Sequence, residues 1–554
     1  MLFLFGTHPA VALTTLVAAL FGLEGNQAAA AATGNSPPQR RDHRPRDTAG
    51  RYNPPQYVSH HARADAIKAA FQLSWDGYYK HAFPHDSLRP VSNTFFDDRN
   101  GWGASAVDAL STALVMQNFK VVDQILDYIP TINFDYTNQS VSLFETTIRY
   151  LGGLISAYDL MTGNVTGKTR DRKEVNAILD QAVHLADNLK VAFDTPSGVP
   201  DNELYFDPPR KAGSQTNSIA TIGTLVLEWT RLSDITGNPL YGQLAQRAES
   251  YLLTPTPKIV GEPFPGLLGN EVRISNGQFV NSHGGWGGGD DSFYEYLIKM
   301  YLYDPTRFAH YKHRWILAAD SSMRHLISHP SSRPDLTYLA MWQDANTLRF
   351  VSEHLACFAG GNFILGGLTL DMPEYTNFGL ELVNSCHNTY ASTATHIGPE
   401  VFSWQDDRIP FNSSSYPGQN PIPSDQAEFY SRAGFWVDSG YYILRPEVVE
   451  SYYYAYRATG DTKYQEWAWD AFLAIREACK VGSGYSGVMN VNKRNGDGYT
   501  DAQETFWFAE VLKYLYLMFS DDAVWQVQAD HTNQFVYNTE AHPVRIARGY
   551  ERGR

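Results

Sequence analysis

The chain has 554 residues with a formal net charge of −15, 43 % hydrophobic residues and 14 % aromatics. That apolar content supports a packed core and excludes a disordered chain. The acidic balance argues against nucleic acid or an anionic membrane as partner, since each needs a basic face; a neutral, polyhydroxylated or cationic ligand fits better.

Residues 1–32 read as a signal peptide, with the apolar run Val11–Leu23 and a small-residue stretch, Ala28–Ala32, offering cleavage sites. The start lacks Lys or Arg and the run is short for a spanning helix, so an uncleaved anchor is the alternative. Residues 33–55, rich in Pro and Arg (Arg40, Arg41, Arg44, Arg46), read as a flexible linker. Sequons at Asn138, Asn164 and Asn412 agree with a secretory route. Three cysteines, Cys357, Cys386 and Cys479, allow one disulfide and leave one thiol; spacing alone does not choose the pair.

Beyond residue 56 the informative pattern is a repeat. Helix-like segments end in Thr-Gly at Gly163, Gly237 and Gly460, and Gly there reads as a left-handed stop. The intervals are 74 and 223 residues, the second close to three times the first, with degenerate copies at Tyr301–Phe308 and Leu368–Tyr375. A unit of this length holds a helical hairpin plus one long connection. Six or seven units predict an all-α toroid, odd helices inside and even ones outside, with its site on the face where long connections gather. Strands are few; Val272–Val280, with Asn-Gly at its centre, reads as a hairpin.

Acids in apolar or aromatic settings are the dominant chemical signal. Glu145 precedes Arg149 by four residues, so the two share a helical face, and Asp291 precedes Glu295 by four at the exit of a glycine run. Glu228, Asp108, Glu400 and Glu510 lie in apolar stretches. In Tyr442–Asp461, Glu447 and Glu450 are three apart, Pro446 fits a first helical turn, and Leu444, Val448 and Tyr452 form a buried stripe. A structural ion pair explains any one of these acids, but not all of them together, because buried charges need partners or a shared pocket. Paired carboxyls suit glycoside hydrolysis, one protonating the glycosidic oxygen and one activating water, with Phe506, Trp507 and Tyr452 as candidate sugar-stacking rings.

Other chemistries fit less well. The glycine-rich His283–Asp290 lacks the Lys-Ser/Thr of a phosphate loop and reads as close approach of backbone to ligand. No Cys/His cluster has zinc spacing, and His354 and His542 read individually as satisfied structural histidines. Lys493–Glu504 imitates a calcium loop, but Lys493 stands where an acid is required.

The segments FETTIRYLGGLISAYDL, GGDDSFYEYLIKMYLYDP, HLACFAGGNF, LRPEVVES, FWFAEVLKYLYLMFS and VYNTEAHP together resemble the class I α-mannosidases, glycoside hydrolase family 47, and within it the secreted fungal α-1,2-mannosidases. The resemblance spans Tyr57–His542. It implies an (α/α)7 barrel with small hairpin excursions as a catalytic domain over 56–545, followed by a tail over 546–554. The implied reaction is calcium-dependent, inverting exo-hydrolysis of terminal α-1,2-linked mannose from high-mannose N-glycans, by a monomer of the secretory pathway.

The family's acidic positions are filled by Asp108, Glu145, Glu228, Asp291, Glu295, Glu447, Glu450, Glu510 and Glu540. The resemblance makes Glu145 the acid, acting through a water, and Glu447 the base, with Asp291 and Glu400 as alternative proton donors. It puts Phe506 beneath the terminal mannose, Arg149 and Arg445 orienting carboxylates, and His354, Glu228, Glu295, Glu450, Glu510 and Glu540 around the sugar. Calcium would be held by the hydroxyl and carbonyl of Thr539, with carboxylates reaching it through waters. The family disulfide falls on Cys357 and Cys386. Gly289 stands where single-mannose trimmers carry Arg, which implies broader trimming. A glycan-binding lectin that has lost turnover is the alternative on the same fold.

Overall fold

The computed structural model describes residues 55–162, 165–167, 170–409 and 419–547. Among them are fourteen helices of eight residues or more: α1 (His61–His81), α2 (Ala104–Val115), α3 (Phe119–Tyr128), α4 (Gly152–Thr162), α5 (Arg172–Leu189), α6 (Val226–Thr236), α7 (Leu240–Leu253), α8 (Asp291–Tyr303), α9 (Ala309–Ser321), α10 (Phe358–Leu370), α11 (Pro373–Ser392), α12 (Glu447–Thr459), α13 (Lys463–Cys479) and α14 (Leu512–Phe519).

Burial separates them into two rings. Every residue of α2 is buried, as its Ala, Val and Leu content requires of a helix covered on all sides. By contrast α5 buries only Val175, Ile178, Ala182, Leu185, Ala186 and Leu189, the three-to-four spacing of one covered face. The inner helices α2, α4, α6, α8, α10, α12 and α14 each pack on the next, and α14 with its preceding π-helical turn (Trp507–Val511) returns to α2, closing an (α/α)7 barrel. The seven others pack outside it. Because α1 is an outer helix that packs on α14, even helices lie inside and odd ones outside, the reverse of the order expected from the repeat.

The repeat marks the inner-to-outer turns. Gly237 (φ +71°) and Gly460 (φ +68°) end α6 and α12, their N–H groups bonding Ser233 and Tyr456 carbonyls. Gly163 lies outside the described residues, as do the 1–32 leader, nearly all of the linker, Asn164, Asn412 and most of the tail. Asn138 is exposed. The described strands are two to four residues long and pair antiparallel. At Val272–Val280 the hairpin is reduced to one bridge, Val272 with Phe279, turning at Gly277 (φ +72°), while Glu271–Arg273 also pairs with Thr216–Ser218.

Two excursions carry functional groups. Val351–Glu353, Val401–Ser403 and Trp436–Ser439 form a three-stranded sheet over a separate apolar cluster around Phe402 and Trp404. The other, a hairpin of Phe535–Tyr537 and Pro543–Arg545, packs on α4. It approaches closely because α4 begins Gly152–Gly153: a Cβ on Gly152 would stand 2.6 Å from Asn538 Nδ2. Cys357 and Cys386 are bonded, tying the turn before α10 to α11, and Cys479 is a buried free thiol. Among the described residues no helix is long and apolar enough to cross a membrane.

Candidate active site

The inner helices enter the barrel from one end, and acids at or near their first turns converge there. Asp291 and Glu447 are the first residues of α8 and α12; Glu295 and Glu450 follow one turn deeper, about 5.4 Å along the axis. The helix starts at Glu447, so Pro446 precedes it, and Leu444 (φ +68°) belongs to the turn although it is buried as expected. The result is a well with two tiers of carboxyls.

In the upper tier Glu145, half-buried, accepts from Arg149 Nε at 2.8 Å and lies 3.5 Å from Arg99. Burial alone would raise its pKa, but Arg99 and Arg149 outweigh it and hold the carboxyl at about 2. Glu447 lies 2.5 Å from His354 Nδ1 and 3.7 Å from Arg445, while His354 Nε2 meets the Tyr390 hydroxyl at 2.8 Å. Burial opposes ionisation of Glu447 as well, and His354 and Arg445 reverse it, leaving the carboxyl below its ordinary range. Glu400 is engaged on both oxygens by Arg445 Nε at 2.8 Å. Asp291 has the opposite fate: burial, then Glu353, Glu295 and Glu447, push it up to about 8 against one backbone N–H from Ser292.

The lower tier is more crowded. Arg149 spans both levels, reaching Glu540, Asp108 at 3.6 Å and Thr505 Oγ1 at 3.1 Å, with its guanidinium 5.6 Å from the Phe506 ring. Glu228 accepts from the Tyr296 hydroxyl at 2.6 Å and Asn538 Nδ2 at 2.8 Å; Glu295 pairs with Lys299, and Glu450 accepts from Tyr514 at 3.1 Å. Burial pushes Glu228 up to about 8 and raises Glu450, Glu510 and Glu540 well above the carboxylate range, each aided by its acidic neighbours. His542, pushed by burial down to about 4, is a neutral imidazole. Thr539 donates its N–H to Tyr296 at 3.2 Å, while its hydroxyl and carbonyl have no partner among the described residues.

Every acid expected at the site is in the well, with Arg149, Arg445, His354, Phe506 and Thr539. His354 is buried and doubly bonded, as expected of a structural histidine, yet its partner is Glu447. Two rings are not there. Tyr452 faces outward to His387 (2.8 Å) and Trp467, and the Trp507 indole bonds Ser74 (2.9 Å) beside Tyr485. The glycine run itself packs closely against other segments of the chain. A Cβ on Gly287 would stand 1.9 Å from Glu353 Oε1, and Gly284, Gly285 and Gly289 make room for Trp342, Met341 and Asn270.

Glu353, Glu504 and Arg99 are site residues that sequence reasoning missed. Glu353 is buried beside Glu400, Arg445, Glu447 and Asp291, with one oxygen bonded to Gly288 N–H and the other without a partner among the described residues; burial raises it to about 7. Glu504, the last residue of the calcium-loop look-alike, is buried near Arg99, Arg149 and Arg445 instead. No periodicity or spacing in the sequence marks any of the three as part of the well. Among the described residues no three His, Cys, Asp or Glu side chains converge closely enough to hold a metal directly.

The profile described as Glycosyl hydrolase family 47 matches residues 70–546. A probable mannosyl-oligosaccharide alpha-1,2-mannosidase 1B of Aspergillus niger is 56 % identical over 486 residues, covering 88 % of this chain and 92 % of that one. A mannosyl-oligosaccharide alpha-1,2-mannosidase of Penicillium citrinum is 54 % identical over 490 residues, covering 88 % and 93 %. The structure of the alpha-1,2-mannosidase from Trichoderma reesei superimposes with a TM-score of 0.85 at 55 % identity, covering 88 % of this chain and all of that one. A D-mannose isomerase at 12 % identity and a TM-score of 0.51 shares the fold alone. A barrel of this architecture, with an acid-lined well and this extent of identity, places the chain in glycoside hydrolase family 47.

Proposed function

We propose that the protein is an exo-acting α-1,2-mannosidase that removes terminal mannose from high-mannose N-glycans with inversion, in the secretory pathway and with calcium in its well. The observation that carries this reading is the division of the upper tier: Glu447 is paired with His354 and Arg445, while Asp291 has only Ser292 as a partner and no cation beside it among the described residues, so burial pushes it up to about 8. Catalysis by paired carboxyls requires one ionised and one protonated.

Glu447 takes a proton from water attacking the anomeric carbon, and the glycosidic oxygen is protonated from the opposite side. The resemblance assigns that proton to Glu145 acting through a water. With Arg99 and Arg149 keeping Glu145 charged, its carboxylate orients the water, and Asp291 is the group that holds the proton. Glu400, locked to Arg445, positions that guanidinium and is not free to deliver one. Phe506, beside Arg149 and 7 % exposed, offers a ring face to the sugar.

Calcium fits what the lower tier leaves unsatisfied. Among the described residues Glu228 Oε2 and Asp108 Oδ2 are buried without hydrogen-bond partners, the latter 3.6 Å from Arg149, and Thr539, next to Glu540 in the chain, has an unpartnered hydroxyl and carbonyl. Thr539 would bind the ion directly and the surrounding carboxylates through waters, as suits a hard cation wanting six to eight oxygens. When bound, calcium supplies positive charge that lets neighbouring acids stay ionised together and orients sugar hydroxyls. A lectin would need the same pocket, but not a protonated acid facing an ionised base.

Mannose release from a Man9 glycan, with and without a calcium chelator, tests the reading. Release that stops on chelation and resumes with added calcium is expected; binding without release in either condition would favour the lectin.

A further inference from the structure

Beneath the well two lysine side chains, Lys299 and Lys513, are enclosed, and the mechanism above uses neither. Lys299 pairs with Glu295. Lys513 of α14, 0 % exposed, has no carboxylate within 4 Å among the described residues; its Nζ donates to Ser111 Oγ at 2.9 Å and to the Ala541 carbonyl at 2.6 Å. An enclosed amine with no counter-charge beside it is costly, and plain packing in the segment Leu512–Phe519 would be served by Met or Leu.

Its contacts continue as a chain: Ser111 Oγ meets His542 Nδ1 at 2.8 Å, and His542 Nε2 lies 3.3 Å from Asp108 Oδ1. The other branch, to Ala541, grips the turn Asn538–His542 from below, and the Asn538 side chain closes the same turn by accepting the Glu540 and His542 N–H groups. Thr539 and Glu540 ride on that turn.

We propose that Lys513 is a positioning residue for calcium: through Ala541 it fixes the turn that presents Thr539, and through Ser111 and His542 it fixes the orientation of Asp108. It touches neither substrate nor ion, and the inference rests on the calcium reading of the well.

The test is calcium titration of chelator-stripped protein, read by calorimetry and by the calcium-dependent rise in unfolding temperature, for wild type, Lys513→Met and Ser111→Ala. Residues that orient ligands typically change metal affinity by about 10–100-fold. Lys513→Met should weaken calcium binding by about that factor, and Ser111→Ala by less, since the grip on Ala541 survives. Turnover of both should recover as calcium is raised, which a merely destabilised barrel would not do. Should Lys513→Met fail to fold, Ser111→Ala carries the test alone. Calcium affinities of the folded variants within twofold of wild type would overturn the inference. Wild-type protein that binds no calcium would instead overturn the reading of the well, and this inference with it.

Discussion

Glu447→Gln should lower turnover by about 10²–10⁴-fold while leaving KM within a few fold, because the change removes a proton acceptor and keeps the shape of the side chain. His354 Nδ1 remains to hold the amide oxygen where one carboxylate oxygen stands, 2.5 Å away, and the NH2 group takes the place of the other, 3.7 Å from Arg445. Water would still enter, but nothing beside it would take its proton. The effect should therefore fall on kcat, measured on a high-mannose oligosaccharide at saturating calcium. Near-normal kcat would remove Glu447 from the role of base, and a loss confined to KM would make it a sugar-binding group.

Thr539→Ala should cost calcium retention before it costs anything else. The hydroxyl lost is one of two oxygens the residue offers, and the carbonyl stays because the turn is held by Asn538 and Lys513. If calcium binds as proposed, wild-type protein at a concentration 100 times its Kd would gain about 2.7 kcal/mol of stability over the chelated form. In Thr539→Ala most of that gain should disappear at the same concentration, read as a smaller difference in unfolding temperature with and without chelator. An unchanged difference would show that the ion, if bound, is held elsewhere.

These expectations draw unequally on sequence and structure. The barrel was legible because its inner-to-outer turns leave a chemical mark: left-handed glycines at Gly237 and Gly460, and related turns after Tyr303 and Leu370. Which helix faced inward was not, since the first helix bears no label of its ring. The acids were legible because charge inside an apolar run has few explanations. The aromatic rings misled for the converse reason: Tyr452 and Trp507 pack between helices, and a core ring looks like a sugar platform in one dimension. Glu353 enters from a strand of the rim sheet and Arg99 from a loop, so neither shares a helical period with the residues it meets. Lys513 is enclosed within α14, and only its contacts reveal what it holds.

The claim on which the rest depends is that water attacks the anomeric carbon from the face opposite the departing oxygen, under Glu447. The anomer first released from an α-1,2-linked substrate reports this directly, by proton NMR in the minutes before mutarotation. β-Mannose as the initial product is predicted; α-mannose would mean a covalent intermediate and a different assignment of the carboxylates.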